Sequence, residues 1–122
     1  MNYKYKRTFT EEQLKQLQHI AYICFAKDIS TAITFNTQDE THLLSYRSVV
    51  CSINRAKLTI TFYPDSTYSN TTAKHICQFI DKQLNTRIYA KEREQALING
   101  YVTIGSCQAI VQYCDQQPKV RY

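Results

Sequence analysis

The residues best suited to chemistry lie in one stretch, Tyr68-Ser69-Asn70-Thr71-Thr72-Ala73-Lys74-His75. Hydroxyl and amide side chains lead here into a predicted helix start, with Lys74 and His75 in its first turn. Helix N-termini bind anions, because free N–H groups and the helix dipole point at them. The stretch therefore predicts a site where Tyr68, Lys74 and His75 contact a partner such as a nucleic-acid phosphate. The alternative is structural capping, since Thr caps are ordinary and cations in a first turn oppose the dipole.

The two ends of the chain mix tyrosine with basic residues, as YKYKR near the start and KVRY near the end. Such mixtures stack on bases while they neutralise phosphates. The residues predicted here to bind nucleic acid or a partner are Tyr3, Lys4, Tyr5, Lys6, Arg7, Lys119 and Arg121. The alternative is that Tyr3 and Tyr5 pack on a sheet.

The formal net charge of +5 is located at the same two ends. Residues 1–7 and 117–122 carry five basic side chains and no acidic one, whereas residues 8–116 carry ten of each sign. Domain termini often lie close together, so we interpret 1–7 and 117–122 as basic arms that form one patch. The alternative is that basic ends keep a neutral domain soluble.

Cysteine and histidine could also supply chemistry, but their spacing does not indicate it. The five cysteines, Cys24, Cys51, Cys77, Cys107 and Cys114, include no CxxC pair and are interpreted as reduced core thiols. His42 and His75 show no zinc-ligand spacing with them. A Cys-His pair that meets only in space is left open. We therefore predict no metal, no cofactor and no catalytic residue, and expect a protein that is not an enzyme.

A helix from Phe9 to Lys27 is the strongest local prediction. Thr10 is the predicted N-cap, and Gln13 three residues later completes a capping box. Apolar residues recur at three- and four-residue steps, which makes a stripe wide enough to lie on a sheet. The members of that stripe are Leu14, Leu17, Ile20, Ala21, Cys24 and Phe25.

The remaining pattern is one of short strands and two further helices. Residues 2–8 alternate as an edge strand, and residues 32–35 are predicted as a short strand. Residues 41–53 and 58–63 are predicted as a hairpin, with a bulge or an ambiguous register near Arg47. Helices are predicted over 73–84, capped by Thr71 or Thr72, and over 91–98. A short strand is predicted between these helices at 86–89, and strands at 101–104 and 107–114 follow. The predicted fold is α+β, with an antiparallel sheet of four to five strands and two main helices packed on one face.

Composition limits the classes of protein that remain. With 122 residues, 43% of them hydrophobic, and only two Gly and two Pro, the chain is expected to form a single domain over 1–122. Disordered and fibrous classes are excluded. No segment indicates a signal peptide or a membrane span, so we expect a soluble cytoplasmic protein without a membrane partner.

The first helix, the hairpin and the stretch from Tyr68 to His75 together resemble small single-domain proteins carried by phages and plasmids of Gram-positive bacteria. The resemblance leaves out the segment from Ile88 to Tyr122. It implies an accessory protein of a mobile element that binds and modulates a host protein or nucleoprotein complex. An anti-CRISPR-like inhibitor of a defence effector is one example. Direct binding of DNA or RNA through the basic ends is the alternative, and the choice between monomer and homodimer is left open.

Overall fold

The computed structural model describes residues 4–26, 32–37, 39–45, 48–64 and 69–116. Ten elements follow one another along these segments. They are β1 (Lys4–Tyr5), α1 (Glu11–Ala26), β2 (Ala32–Asn36), β3 (Thr41–Ser45), β4 (Ser48–Asn54), β5 (Thr59–Phe62), α2 (Asn70–Leu84), α3 (Ala90–Asn99), β6 (Tyr101–Ile104) and β7 (Cys107–Cys114).

The strands form one seven-stranded sheet whose order is β1-β7-β5-β4-β3-β2. Strand β6 pairs with the first half of β7, and β1 pairs with its last two residues, so both lie along the same side of β7. The pairs β2-β3, β3-β4, β4-β5 and β6-β7 are antiparallel, while β5-β7 and β1-β7 are parallel.

The α+β class is confirmed, but the antiparallel sheet of four to five strands is wrong. The strand count differs from the prediction partly because residues 41–53 were predicted as a single hairpin arm. They form two antiparallel strands, β3 and β4. The sheet is mixed because the connection from β5 through α2 and α3 brings the chain back to the sheet with β7 parallel to β5. Parallel neighbours require a long crossover of this kind, and residue patterns within each strand do not reveal it. A register shift in the β3-β4 ladder falls at Leu43/Leu44, within the strand and before the predicted bulge near Arg47, which lies outside the described residues.

Helices cover both faces of the sheet, so the prediction of two main helices on one face is also wrong. Residues paired across strands share a face, and the row Phe35, His42, Ser52, Thr61 and Gln112 crosses five strands on one side. Leu17 of α1 packs in the cluster on that side, which we call the α1 face. Helices α2 and α3 place Ile76, Phe79, Ile80 and Ala96 in the main core on the opposite side.

Local capping signals define the helix ends well. The backbone N–H of Thr10 donates to Gln13 Oε1 at 2.9 Å, and the N–H of Gln13 donates to Thr10 Oγ1 at 3.1 Å, which confirms the capping box. Helix α2 is capped by Ser69, whose hydroxyl accepts from the N–H of Thr72, and not by Thr71 or Thr72 as predicted. Asn85 ends α2 with a φ of 54°, and Gly100 ends α3 with a φ of 83°, as left-handed caps do.

The core is built from branched aliphatic and aromatic side chains, with polar groups added on the α1 face. Cys51 and Cys114 are buried as predicted, Cys77 is half-buried, and Cys107 is exposed, which corrects its assignment to the core. Cys24 lies in α1, and its side chain is outside the description. None of the helices in the described part of the chain has the length and apolar character needed to cross a bilayer.

Candidate functional site

A chain of hydrogen bonds runs through the α1 face of the sheet. Thr37 Oγ1 lies 2.9 Å from Nε2 of His42, and Nδ1 of that ring lies 2.6 Å from Ser52 Oγ. Ser52 Oγ lies 3.0 Å from the hydroxyl of Tyr63, which accepts from Nη1 of Arg7 at 2.9 Å. The sequence does not indicate this cluster, because its members meet only through strand register.

The cation at one end fixes the direction of one of these bonds. Arginine only donates, so the Tyr63 oxygen accepts from Arg7. The directions of the bonds from Tyr63 through Ser52 to His42 follow the tautomer of the ring, whose two nitrogens face Thr37 and Ser52. Burial first, and then the positive charge of Arg7, lower the pKa of His42 to about 3, which keeps the ring neutral.

The serine and histidine resemble a nucleophile and its base, but they are closed off. His42, Ser52 and Tyr63 are buried, with 1%, 0% and 0% of their surface exposed. The ring of Phe9 lies 6.4 Å from that of Tyr63, and Leu17 of α1 packs in the same cluster. A substrate therefore has no path to Ser52 Oγ in this arrangement. The polar chain satisfies buried groups and joins strands, which is a structural role.

The residues predicted near the start of the chain are built into the fold. Tyr5 is half-buried, and its hydroxyl accepts from Gln112 Nε2 at 3.1 Å and lies 3.4 Å from Thr61 Oγ1. Nη1 of Arg7 donates to Glu40 Oε2 at 3.0 Å, and Nη2 contacts the other carboxylate oxygen. The charge of Arg7 is thus neutralised inside the protein. Lys4 lies in β1 and Lys6 is exposed beside it, so Lys6 retains a solvent-facing charge.

The stretch from Tyr68 to His75 divides into residues with different surroundings. Lys74 is exposed on α2, whereas His75 is half-buried on the side facing the sheet. Nδ1 of His75 lies 3.1 Å from Ser45 Oγ of β3, so this histidine links α2 to the sheet. Tyr68, like Tyr3, Lys119 and Arg121, lies outside the described residues.

Lys74 borders an open groove between α2 and α3 with a volume of about 540 Å³. We call it the α2–α3 groove. Its lining residues are Asn70, Ala73, Lys74, Cys77, Gln78, Arg87, Tyr89 and Ala90. Ala73 and Cys77 are half-buried and form the floor of the groove, whereas the six exposed lining residues form its rim. Asn85 ends α2 in the left-handed conformation, and α3 begins only at Ala90. The connection between the two helices lines one side of the groove with Arg87 and Tyr89.

The rim of the α2–α3 groove is cationic and aromatic. Tyr89 keeps 48% of its surface exposed. A side-chain hydrogen bond with Tyr89, and then the carboxylate of Asp81, raise the pKa of Arg87, whose Nε lies 3.2 Å from Asp81 Oδ2. Lys74 makes no salt bridge within the part of the chain that the structure describes, so its charge faces solvent.

Lys74 was predicted from the sequence as a binding residue, whereas Arg87 and Tyr89 were missed. Arg87 and Tyr89 fall in a segment predicted as a short strand, whereas the structure has an extended connection there without strand pairing. The signal that could have found them is a Tyr two residues after an Arg, directly before a helix start. Among the described residues, no three His, Cys, Asp or Glu side chains gather in a way that would hold a metal ion.

Comparison with known proteins places the chain in a family without assigning an activity. No curated protein matches the chain, and no solved structure matches it. Residues 13–100 match the model described as "Family of unknown function (DUF8033)". The matched segment holds nearly all of α1, then β2 to β5, α2 and α3, and it ends just before β6. Since the match covers well over half of the chain, the protein belongs to the DUF8033 family.

Proposed function

We propose that this protein is a non-enzymatic binding protein that contacts a host protein or nucleoprotein complex through the α2–α3 groove. The observation that carries the proposal is the rim of that groove, where exposed Tyr89 stands beside the cations Lys74 and Arg87. Aromatic and arginine side chains around a desolvated pocket are typical of the residues that dominate binding energy at interfaces.

The groove favours a partner surface that combines an apolar or aromatic side chain with a carboxylate. Ala73 and Cys77, which are half-buried, offer an apolar floor on which such a side chain would rest. A carboxylate beside it would pair with Lys74, which makes no salt bridge within the described residues. The partner's placement in a host defence system, and the phage or plasmid origin of the chain, rest on the sequence resemblance alone.

The test is affinity capture from a bacterial lysate, followed by reconstitution of the captured complex with purified proteins. Lys74→Glu and Tyr89→Ala alter the groove, and Lys82→Glu is the matched control, because Lys82 is exposed on the same helix but does not line the groove. We expect one partner to be retained by the wild type and by Lys82→Glu and to be lost with both groove variants. Equal retention by all four proteins would exclude the groove as the binding site.

Direct binding of DNA or RNA is the second candidate, and one feature of the groove favours it. Tyr89 offers a ring on which a base would stack. Lys74 and Arg87 line the same groove and would contact the neighbouring phosphates. Lys6 is a further exposed cation, which lies just after β1. In a salt series against mixed-sequence DNA and RNA, Lys74→Gln would lower the slope of log K against log salt by roughly 0.7 to 0.9 per lost contact. No binding by the wild type at low salt would exclude this candidate.

A further inference from the structure

Strand β6 lies at the edge of the sheet and directs backbone groups outward. Tyr101 is the register partner of Ile110, whose N–H donates to Leu58 O on the β5 side at 2.9 Å. The two residues therefore form a non-hydrogen-bonded pair of the antiparallel ladder, and the N–H and C=O of Tyr101 point away from β7. Thr103, two residues on, has the same orientation. No strand of the described segments pairs with this outer edge.

Within the described segments, β6 contains no lysine or proline, and its ladder with β7 has no bulge. Proteins protect edge strands with lysines, prolines, bulges or covering elements. Strand β6 reads Tyr-Val-Thr-Ile, and it is bounded by Gly100 and Gly105, the only two glycines of the chain. Nothing lies within 4 Å of the position that a Cβ would take at either glycine, so the backbone at both ends is open. At the other edge, by contrast, Gln16 Nε2 of α1 donates to the backbone oxygen of Asn36 in β2 at 2.6 Å.

The segment of sequence that carries β6 is uncharged, although the protein as a whole is basic. Residues 95–114 include no Asp, Glu, Lys or Arg, in a chain with 20% charged residues and a net charge of +5. Tyr101 and Ile110 are partners across the β6-β7 ladder and expose 44% and 41% of their surface side by side on the α1 face. Two copies of a cationic protein repel each other, so they approach most easily through an uncharged surface of this kind.

We propose that β6 pairs with β6 of a second copy of this chain, antiparallel and around a twofold axis at Val102. In this register Val102 faces its own equivalent, and Tyr101 lies opposite Thr103 of the second copy. The twofold axis generates that aromatic and β-branched pair twice, and such cross-strand pairs stabilise sheets. The exposed Tyr101 and Ile110 of each copy then form one apolar strip across the junction. The two seven-stranded sheets become continuous.

A second copy fits this edge better than an unrelated strand because the edge complements itself. Its sequence is uncharged and places an aromatic and a β-branched residue symmetrically around Val102. The pairing involves few residues, so the dimer is expected to be weak and dependent on concentration. It does not rest on the proposed function, since no residue lining the α2–α3 groove belongs to β6.

The test is sedimentation equilibrium over a wide concentration range with edge variants. Thr103→Lys places a charge on exposed β6, and Thr34→Lys places the same charge on exposed β2 at the opposite edge. We expect the wild type and Thr34→Lys to approach twice the chain mass of 14.3 kDa, and Thr103→Lys to stay at the single-chain mass. A monomeric wild type at every concentration, or a Thr103→Lys protein that dimerises like the wild type, would overturn the proposal.

A second variant addresses the case in which Thr103→Lys does not fold by circular dichroism. Thr103→Pro removes only an N–H that points outward, so the ladder with β7 keeps its bonds. We expect the Thr103→Pro protein to fold and to be monomeric as well. If it dimerises as the wild type does, the outward backbone groups of β6 are not the contact and the proposal is wrong.

Discussion

Nη1 of Arg7 lies 2.9 Å from the hydroxyl oxygen of Tyr63 and 3.0 Å from Glu40 Oε2. One guanidinium thus joins the segment after β1 to the end of β5 and to the turn before β3. The side chains of Arg7 and Glu40 are only 15% and 11% exposed. Because the pair is sheltered from solvent, the loss of one partner leaves the other partly desolvated and unpaired.

We therefore expect Arg7→Met to lower the free energy of unfolding by roughly 2 to 4 kcal/mol, since it leaves Glu40 and Tyr63 without their donor. Lys6→Met, at an exposed neighbouring position, should change it by less than about 0.5 kcal/mol. Urea denaturation monitored by circular dichroism measures both. Adding Glu40→Gln to Arg7→Met should cost less than the two single changes together, because the variants share one interaction. Strict additivity would argue against the pair.

Stability should depend on pH through His42. Its pKa is lowered from 6.5 to about 3 in the folded protein, mainly by burial, while the unfolded chain takes up this proton near pH 6.5. Between these values the unfolded state binds more protons, so the free energy of unfolding falls as the pH is lowered from 6.5, by up to about 1.4 kcal/mol per pH unit.

The window from about pH 6.5 to 4.5 isolates this effect, because ordinary carboxylates titrate mainly below it. Urea melts at steps through that window should show a smaller pH dependence for His42→Asn than for the wild type. The exposed His19 provides the control, and His19→Asn should leave the dependence unchanged. Identical slopes in wild type and His42→Asn would contradict the buried, neutral assignment.

The capping box at the start of α1 should contribute measurably to the free energy of unfolding. Thr10→Ala removes the hydroxyl that accepts from the N–H of Gln13, and we expect a loss of about 1 kcal/mol. Thr8→Ala, at an exposed position before the helix, is the matched control and should be near neutral. Thermal and urea melts of the two variants check this, and equal effects would argue against the cap.

The cysteines should differ in reactivity in the folded protein. Cys107 is exposed at the start of β7, whereas Cys51 is buried and its burial raises the pKa of the thiol. A thiol-specific reagent, with modified positions identified by mass spectrometry, should label Cys107 rapidly and leave Cys51 and Cys114 unmodified. In denaturant without reductant all five should react. Rapid labelling of Cys51 in the native state would show that the core opens more readily than the packing indicates.

Local signals predicted what neighbouring residues decide, and failed where distant segments meet. The Thr10–Gln13 box depends on side chains three positions apart, and β6 and β7 are bounded by turn residues, so both were predictable. The parallel pairing of β5 with β7 depends on how α2 and α3 return the chain, which no strand pattern encodes.

The candidate site divides in the same way. Lys74 was predicted because it lies in a recognisable helix start, while Arg87 and Tyr89 became part of the groove only when α3 was oriented against α2. The sequence did not predict the chain of hydrogen bonds from Thr37 to Arg7, because its members come from four separate segments. The pairing of strands, not local propensity, brings them together.

The parallel pairing of β1 with β7 sets an order of events during folding. Tyr5 is the register partner of Cys114, and the N–H of Asp115 donates to Tyr5 O at 3.2 Å, across nearly the whole described sequence. Contacts of such separation form late, because closing the intervening loop costs entropy before any contact is gained. On the ribosome, β2 to β5 can assemble while β1 has no neighbour. The side of β7 that β1 occupies exists only after β7 has emerged, so β1 joins the sheet after β2 to β5 have paired.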